Sequence, residues 1–412
     1  MASQAFLQRA NRLLTPQRIS YAWIAGGAMW LGWLISIWLG PGKVDLARQV
    51  IGADYLQFYA AGQTLHQGQS AQLYDTAFQF ELEQKIIGPE LVNYHAFITP
   101  PFLAWLFVPF SWLPYLWSFV LWSLFGLLLL RLSLKGLGET DGRTFGLVMT
   151  WYPIFAAISF GQNSLLSLGI LSLVYVLWRK GLLWQAGLVA SLVLYKPQLA
   201  LGIGLLWLLE WRRDWKALAG LTLGGATLAA LCFLLLPDAS LAYIQFARTV
   251  LPDLPSWESF PLWHLHTPRG FFRLLFPDTV PGFKWLADGL TILLTIFGIW
   301  TFYRLWKNLR TEYDILFGAA ICLTLWITPH AMIYDWAILL IPAVLLWRRR
   351  PGLRRLLRPL FAFLWLAAFL SSALTAVQLR FLPLAVQISI PVLAYALWEI
   401  KRTLDTQALA DP

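Results

Sequence analysis

The residues able to do chemistry in this chain are few and widely spaced. They are Asp54 with Tyr55 and Tyr59, His95 ahead of Thr99-Pro100-Pro101, Gly161-Gln162-Asn163, Lys196-Pro197-Gln198, Arg269, and Thr328-Pro329-His330 with Asp335 five residues on. A carboxylate can take a proton from an attacking hydroxyl. Lysine and arginine can hold a phosphate, and amides or aromatic rings can orient a polar ligand. No phosphate-cradling P-loop, GxSxG elbow, HExxH or paired DxD motif occurs, so nucleotide binding of the soluble kind has no support.

Each of these residues also has a plainer reading. Asp54-Tyr55-Leu56-Gln57 fits a capping box, so spacing alone makes Asp54 first a helix cap and only second a general base. Asparagine caps about as well but cannot accept the proton, so one substitution separates the roles. Lys196 ends an apolar run, where it can snorkel to the surface or meet a lipid phosphate. His330 follows Pro329, where a broken helix would turn a titratable ring towards a cavity; a satisfied structural histidine is the alternative. Gln162 and Asn163 suit a tight turn whose amides satisfy loose helix ends. Arg269 suits a phosphate or merely the interface. His264 and His266 would need a third metal ligand, which no spacing nominates.

What positions these residues is set by composition. The chain has 412 residues, 58% hydrophobic and only 13% charged. A soluble globular chain carries about 25% charged residues, so a soluble enzyme, a disordered chain and a disulfide scaffold are excluded. Twenty-four tryptophans suit a membrane–water boundary. Cys232 and Cys322 read as small buried hydrophobes. The net charge of +10 lies in short clusters between apolar runs, which reads as membrane topology rather than nucleic-acid binding. The expected fold is an all-α polytopic membrane protein in one membrane domain.

Candidate spans are 21–40, 115–131, 144–160, 164–178, 182–196, 199–211, 216–236, 284–306, 313–328, 333–347, 359–378 and 381–398. The run after Arg9, Arg12 and Arg18 is read as a retained first helix, since no small-residue cleavage site follows it closely. About twelve crossings put the basic clusters at alternate, cytoplasmic loops with both termini inside, provided that proline-rich 98–113 is re-entrant or interfacial. Two outer segments result. In 41–97, Asp54 and Asp75 open two short helices, the second ending near Gly88; both are expected to be amphipathic and to lie along the membrane surface. The other, 237–283, is rich in proline and aromatics. All the candidate chemistry then collects on the outer face.

The order of motifs resembles a known family. ADYLQFYAAGQTLHQGQSAQLYD is followed by TPPFLAWLFVPFSWLP, then by GQNSLLSLGILSLVYVLWRKGLLWQAGLVASLVLYKPQLA, and late in the chain by TPHAMIYDWAILL. This series, from about residue 20 to 350, resembles glycosyltransferase family 87, transferases of GT-C type that depend on polyprenol-phosphate mannose. Thr99 stands where the family usually has an aromatic residue. The resemblance implies inverting transfer of a hexose, mannose being the expected sugar, from a polyprenyl-phosphate donor to a lipid or glycan acceptor at the outer face of the plasma membrane. It implies no nucleotide sugar, no obligatory metal and no separate cofactor. It also implies Asp54 as catalytic base, with Lys196 and His330 near the donor phosphate.

The rival class is a transporter or flippase of lipid-linked sugars. Transporters commonly show inverted repeats with interrupted helices at matching positions. No repeat is evident here, and the polar signals gather on one face. A third reading is an assembly subunit for envelope polymers in which Asp54 only caps a helix.

Overall fold

In a computed structural model of the chain, residues 2–253 and 260–410 are described; 254–259, within the proline- and aromatic-rich stretch 237–283, lie outside them. Every regular element among the described residues is helical, and extended pairing is limited to two isolated bridges, Val44 with Val50 and Leu265 with Met332. The chain runs through α1 (Ala2–Leu13), α2 (Pro16–Leu39), α3 (Ala53–His66), α4 (Thr76–Ile87), α5 (Pro101–Phe107) and α6 (Tyr115–Gly136). It continues with α7 (Gly142–Met149), α8 (Tyr152–Ser159), α9 (Ser164–Arg179), α10 (Leu183–Ser191), α11 (Leu201–Leu209), α12 (Trp211–Leu235) and α13 (Pro237–Thr249). The last helices are α14 (Pro268–Leu275), α15 (Phe283–Asn308), α16 (Tyr313–Ile327), α17 (Leu340–Arg349), α18 (Arg354–Phe381) and α19 (Ser389–Ala410).

Among the described residues, five helical stretches are long and apolar enough to cross a bilayer: Pro16–Leu39, Tyr115–Gly136, Trp211–Leu235, Phe283–Asn308 and Pro351–Phe381. A sixth is gained if α8 and α9, bent by 120° at their junction, count as one span. The expected count of twelve is therefore not reached by helix length. The remaining apolar runs are helical but interrupted, because proline at 153 and 197 removes a backbone donor and Gly161 turns the chain. Segment 98–113 forms only the seven-residue α5 and a turn at Phe110–Trp112. At 1.5 Å per residue α5 is about 10 Å long, too short to cross.

Small residues let the interrupted helices touch. A Cβ on Gly187 of α10 would fall 2.1 Å from the Ala217 carbonyl oxygen of α12, and one on Gly202 of α11 would fall 1.9 Å from that of Ala320 in α16. Backbones this close gain dispersion contact without any hydrophobic drive from lipid. Trp207, Trp336 and Phe107 fill the interior between them and are fully buried.

The helices have two chemically distinct ends. At one, Arg179 of α9 pairs with Asp314 of α16 at 2.9 Å, Arg349 of α17 reaches the same carboxylate at 3.4 Å, and Asp214 of α12 takes Arg213 and the Trp178 indole. At the other, Ser164 at the start of α9 hydrogen-bonds Asp335, in the connection between α16 and α17, at 2.8 Å. Basic clusters and candidate chemistry thus occupy opposite ends of the same helices.

Segment 41–97 departs from expectation. Asp75 caps α4 as expected, accepting from the amides of Ala77 and Phe78 at 3.0 Å, and α4 is amphipathic, ending at Gly88. α3 is not: Tyr55, Leu56, Phe58, Tyr59, Ala60, Ala61, Gly62 and Thr64 are all buried. A helix apolar on every face goes inside. α5 packs against it so tightly that a Cβ on Gly62 would lie 2.5 Å from the Phe107 carbonyl oxygen. Nor does Asp54 cap α3. The helix begins at Ala53, and its cap is Gly52, in the left-handed region at φ 69° with no side-chain cap bond.

Candidate active site

Two neighbouring segments fix the start of α3. The Tyr115 hydroxyl at the head of α6 donates to the carbonyls of Ile51 and Gly52, at 2.8 and 2.9 Å. The Tyr55 amide donates to the Phe160 carbonyl at 2.9 Å, which ties α3 to the turn between α8 and α9. That turn requires glycine at 161. Its φ is +69°, and a Cβ there would fall 2.5 Å from the Tyr55 Cβ. The Trp122 indole holds the Gly161 carbonyl at 3.0 Å.

With its backbone so held, Asp54 points its side chain at the turn and not at its own helix. Gln162 Nε2 donates to Asp54 Oδ2 at 2.9 Å and lies 3.1 Å from the Tyr334 hydroxyl, which hydrogen-bonds the same carboxylate. Gln162 Oε1 accepts the Asn163 amide at 3.2 Å, so one side chain both closes the turn and holds the acid. Beside it, Lys196 sits between two short helical turns and pairs with Asp335 at 2.8 Å, with its ammonium 5.5 Å from the Tyr334 ring centre. Asp335 also accepts from Ser164 at 2.8 Å and from the Met332 amide at 3.1 Å. Lys196 is therefore not a snorkelling side chain; only 14% of it is exposed.

The electrostatics are those of a carboxylate with cations near it. Asp54 is partly accessible. Burial pushes its pKa above the usual carboxylate value, while the Gln162 and Tyr334 hydrogen bonds and the charges of His95 and Lys196 oppose that rise. His95 is pushed up: burial disfavours its charge, but Glu83 and Asp54 more than offset this. His330 is pushed down to about 4 by burial, so near neutrality it offers a neutral ring rather than a cation. The site can accept a proton at Asp54 and holds the Lys196 ammonium near it.

A model of glycosyltransferase family 87 matches residues 97–329, more than half of the chain. The chain belongs to glycosyltransferase family 87. No curated protein and no solved structure matches it. Family membership and the apolar helices together make it a multi-pass membrane glycosyltransferase. The match takes in His95's neighbour Thr99, Gln162, Asn163, Lys196 and Arg269; Asp54 precedes it, and His330 and Asp335 follow it directly.

Within this family 87 transferase, hydrogen bonds join Asp54 to Gln162 and Gln162 to Tyr334, an ion pair joins Lys196 to Asp335, and the Lys196 ammonium lies by the Tyr334 ring; the charge of His95 acts on Asp54, and those of Asp335, Lys196 and Arg269 act on His330. Gln198 is half-buried in the turn that carries Lys196. Asn163 is buried beside Gln162, and neither polar atom of its side chain has a partner among the described residues. Tyr55 and Tyr59 are placed differently from the expected ligand contacts. The Tyr55 hydroxyl bonds Ser118 at 2.5 Å and the Tyr59 hydroxyl donates to the Leu113 carbonyl at 2.8 Å, both within aromatic packing against Tyr115. His266 shares its ring nitrogens with Ser389 and Ser372, at 2.7 and 2.9 Å, and His264 faces Ser372, so both histidines have hydroxyl partners. Sequence reasoning passed over Tyr334, Ser164 and Glu83. Tyr334 adjoins Asp335 in the broken segment, and that proximity was its available signal.

Proposed function

We propose that this transferase moves a hexose, mannose by family expectation, from a polyprenyl-phosphate donor to a hydroxyl of a lipid or glycan acceptor at the outer membrane face, as GT-C enzymes do. Asp54 is the base. The acceptor oxygen forms a bond to the anomeric carbon from the face opposite the phosphate, and the carbon–oxygen bond to phosphate breaks with its electron pair. The hydroxyl proton goes to Asp54. One carboxylate suffices for an inverted product, whereas a double displacement would need a second as nucleophile; Asp335, the other carboxylate nearby, is already engaged by Lys196, Ser164 and the Met332 amide. Lys196 and Arg269 offset charge on the departing phosphate, and His330 contributes a neutral hydrogen bond.

The observation that carries this reading is the partly accessible Asp54, held by Gln162 and Tyr334 next to the Lys196 ammonium, at the end of the helices away from the basic clusters. Purified protein in vesicles, given radiolabelled polyprenyl-phosphate mannose and an extract of envelope lipids and glycans, tests it. Label in a new glycosidic product supports transfer. Donor that changes leaflet with its sugar still attached would mark a flippase and overturn the reading.

A further inference from the structure

His264 and His266 stand two residues apart in the segment before α14, and neither takes part in the proposed transfer. His266 is only 1% exposed, and each of its four polar groups has a partner. Its ring Nδ1 lies 2.7 Å from the Ser389 hydroxyl at the head of α19, and Nε2 lies 2.9 Å from the Ser372 hydroxyl of α18. Its main-chain groups go elsewhere. The amide donates to the Ala331 carbonyl at 2.8 Å, and the carbonyl accepts the Trp336 indole at 3.1 Å. Leu265 pairs with Met332 in an isolated bridge beside these bonds. One residue thus joins two helices, through its side chain, to segment 331–336, through its backbone. That segment carries Tyr334, whose hydroxyl lies 3.1 Å from the Gln162 amide, and Asp335, bonded to Lys196 and Ser164 at 2.8 Å.

Taking an imidazole out of water costs free energy that an apolar ring in the same space would not. A neutral imidazole has one donor and one acceptor nitrogen, so two hydroxyls satisfy it fully, and a satisfied buried network specifies one arrangement. Ser371 of α18 extends the set by donating to the Ser389 hydroxyl at 3.2 Å. The family match ends at residue 329, so α18 and α19 lie beyond it. We propose that His266 is a positioning residue for the site: bonded to Ser372 and Ser389, it anchors segment 331–336 to α18 and α19, and so fixes Tyr334 against Gln162 and Asp335 against Lys196. This rests on reading Asp54, which Gln162 holds, as the base. The Gln162, Ser164 and Lys196 bonds tie the segment to the start of α9 and to the Lys196 turn; His266 ties it to the C-terminal helices.

His266→Phe keeps a ring beside that of Trp336, 5.7 Å away, but leaves both serines unpaired. Adding Ser372→Ala and Ser389→Ala removes the stranded hydroxyls, and replacing both sides of a buried bond by apolar groups can be nearly neutral for stability. The triple variant should therefore melt close to wild type. The chain has 14 tyrosines, so fluorotyrosine gives a countable NMR signal set, and Tyr334→Phe identifies the Tyr334 resonance by its loss. In the intact protein in detergent, that resonance is expected to shift or broaden in the triple variant. The kcat for transfer from polyprenyl-phosphate mannose should fall about 10- to 100-fold, the scale of a misplaced catalytic group. His266→Gln, with the native serines, keeps one donor and one acceptor and should retain more kcat than His266→Phe. A triple variant that melts like wild type with an unmoved Tyr334 resonance, or with unchanged kcat, would overturn the proposal. Should it fail to fold, Ser372→Ala decides by the same resonance, moved in support or unmoved against. Absence of transfer in wild type would count against the hexosyl reading and not against this anchor, which the tyrosine signal decides by itself.

Discussion

The Gln162 amide donates to Asp54 Oδ2 at 2.9 Å across 108 residues of sequence. That bond takes a carboxylate whose local sequence looks like a helix cap and commits it to a turn between two other helices. Gly52 caps α3 in its place, so the acid makes no cap bond there.

Gln162→Ala removes the donor to Asp54 and the link to Tyr334 together. Misplacing a catalytic group by about 1 Å can cost on the order of 100-fold, and a loss of that size in kcat is expected. Because a hydrogen bond to the charged form favours ionisation, the acid limb of the rate should also move to higher pH. A pH–rate profile of the variant checks both effects.

Gly161→Ala tests the turn itself. A non-glycine residue in the left-handed region costs about 1–2 kcal/mol, and here the added methyl also meets Tyr55. A stability loss of about 2 kcal/mol or more is expected from thermal unfolding in detergent, with activity falling further than the unfolded fraction explains.

Lys196→Ala leaves Asp335, 4% exposed, without its cation. Breaking a buried pair costs about 3–5 kcal/mol; Ser164 and the Met332 amide still hold the carboxylate, so the low end is expected. Lys196→Met with Asp335→Leu should recover much of that stability without recovering use of the donor. Melting temperatures, with KM for donor and acceptor measured separately, distinguish the two contributions.

Asp54 links pH to rate and to stability with opposite signs. Its pKa is raised in the folded chain, so the folded form holds the proton more tightly than the unfolded form. Its contribution to stability is full below the unfolded value of about 3.9 and is lost as pH rises through the folded value. Transfer needs the anion, so the rate should fall as pH drops through that same raised value, above the ordinary carboxylate range. Rate and melting temperature across pH 4–8, compared between wild type and Asp54→Asn, check the crossing: the variant should lack this component of the melting curve.

Much of the architecture was legible because long apolar runs can form only helices in a bilayer. Tyr115–Gly136 and Trp211–Leu235 appear close to where hydropathy placed them. The amphipathic helix expected after Asp54 does not form, because Leu56, Phe58, Ala60 and Ala61 make the other faces of α3 apolar as well. The capping box misled for a local reason: glycine at 52 takes a left-handed conformation and caps the helix two residues earlier. Contacts such as Ser164 with Asp335 or Gln162 with Asp54 join residues more than a hundred positions apart, and no periodicity encodes them. Topology put Asp54, Lys196 and His330 on one face, and the resemblance in motif order supplied their joint roles. Glu83 did leave a local trace, a carboxylate at a position in the apolar stripe of α4.

The most direct measurement is single-turnover transfer by Asp54→Asn against wild type, at matched expression and melting temperature, from radiolabelled polyprenyl-phosphate mannose. General-base catalysis contributes about 100- to 10,000-fold, so the account predicts a loss of that size with donor binding retained. An asparagine variant that transfers at the wild-type rate would contradict it.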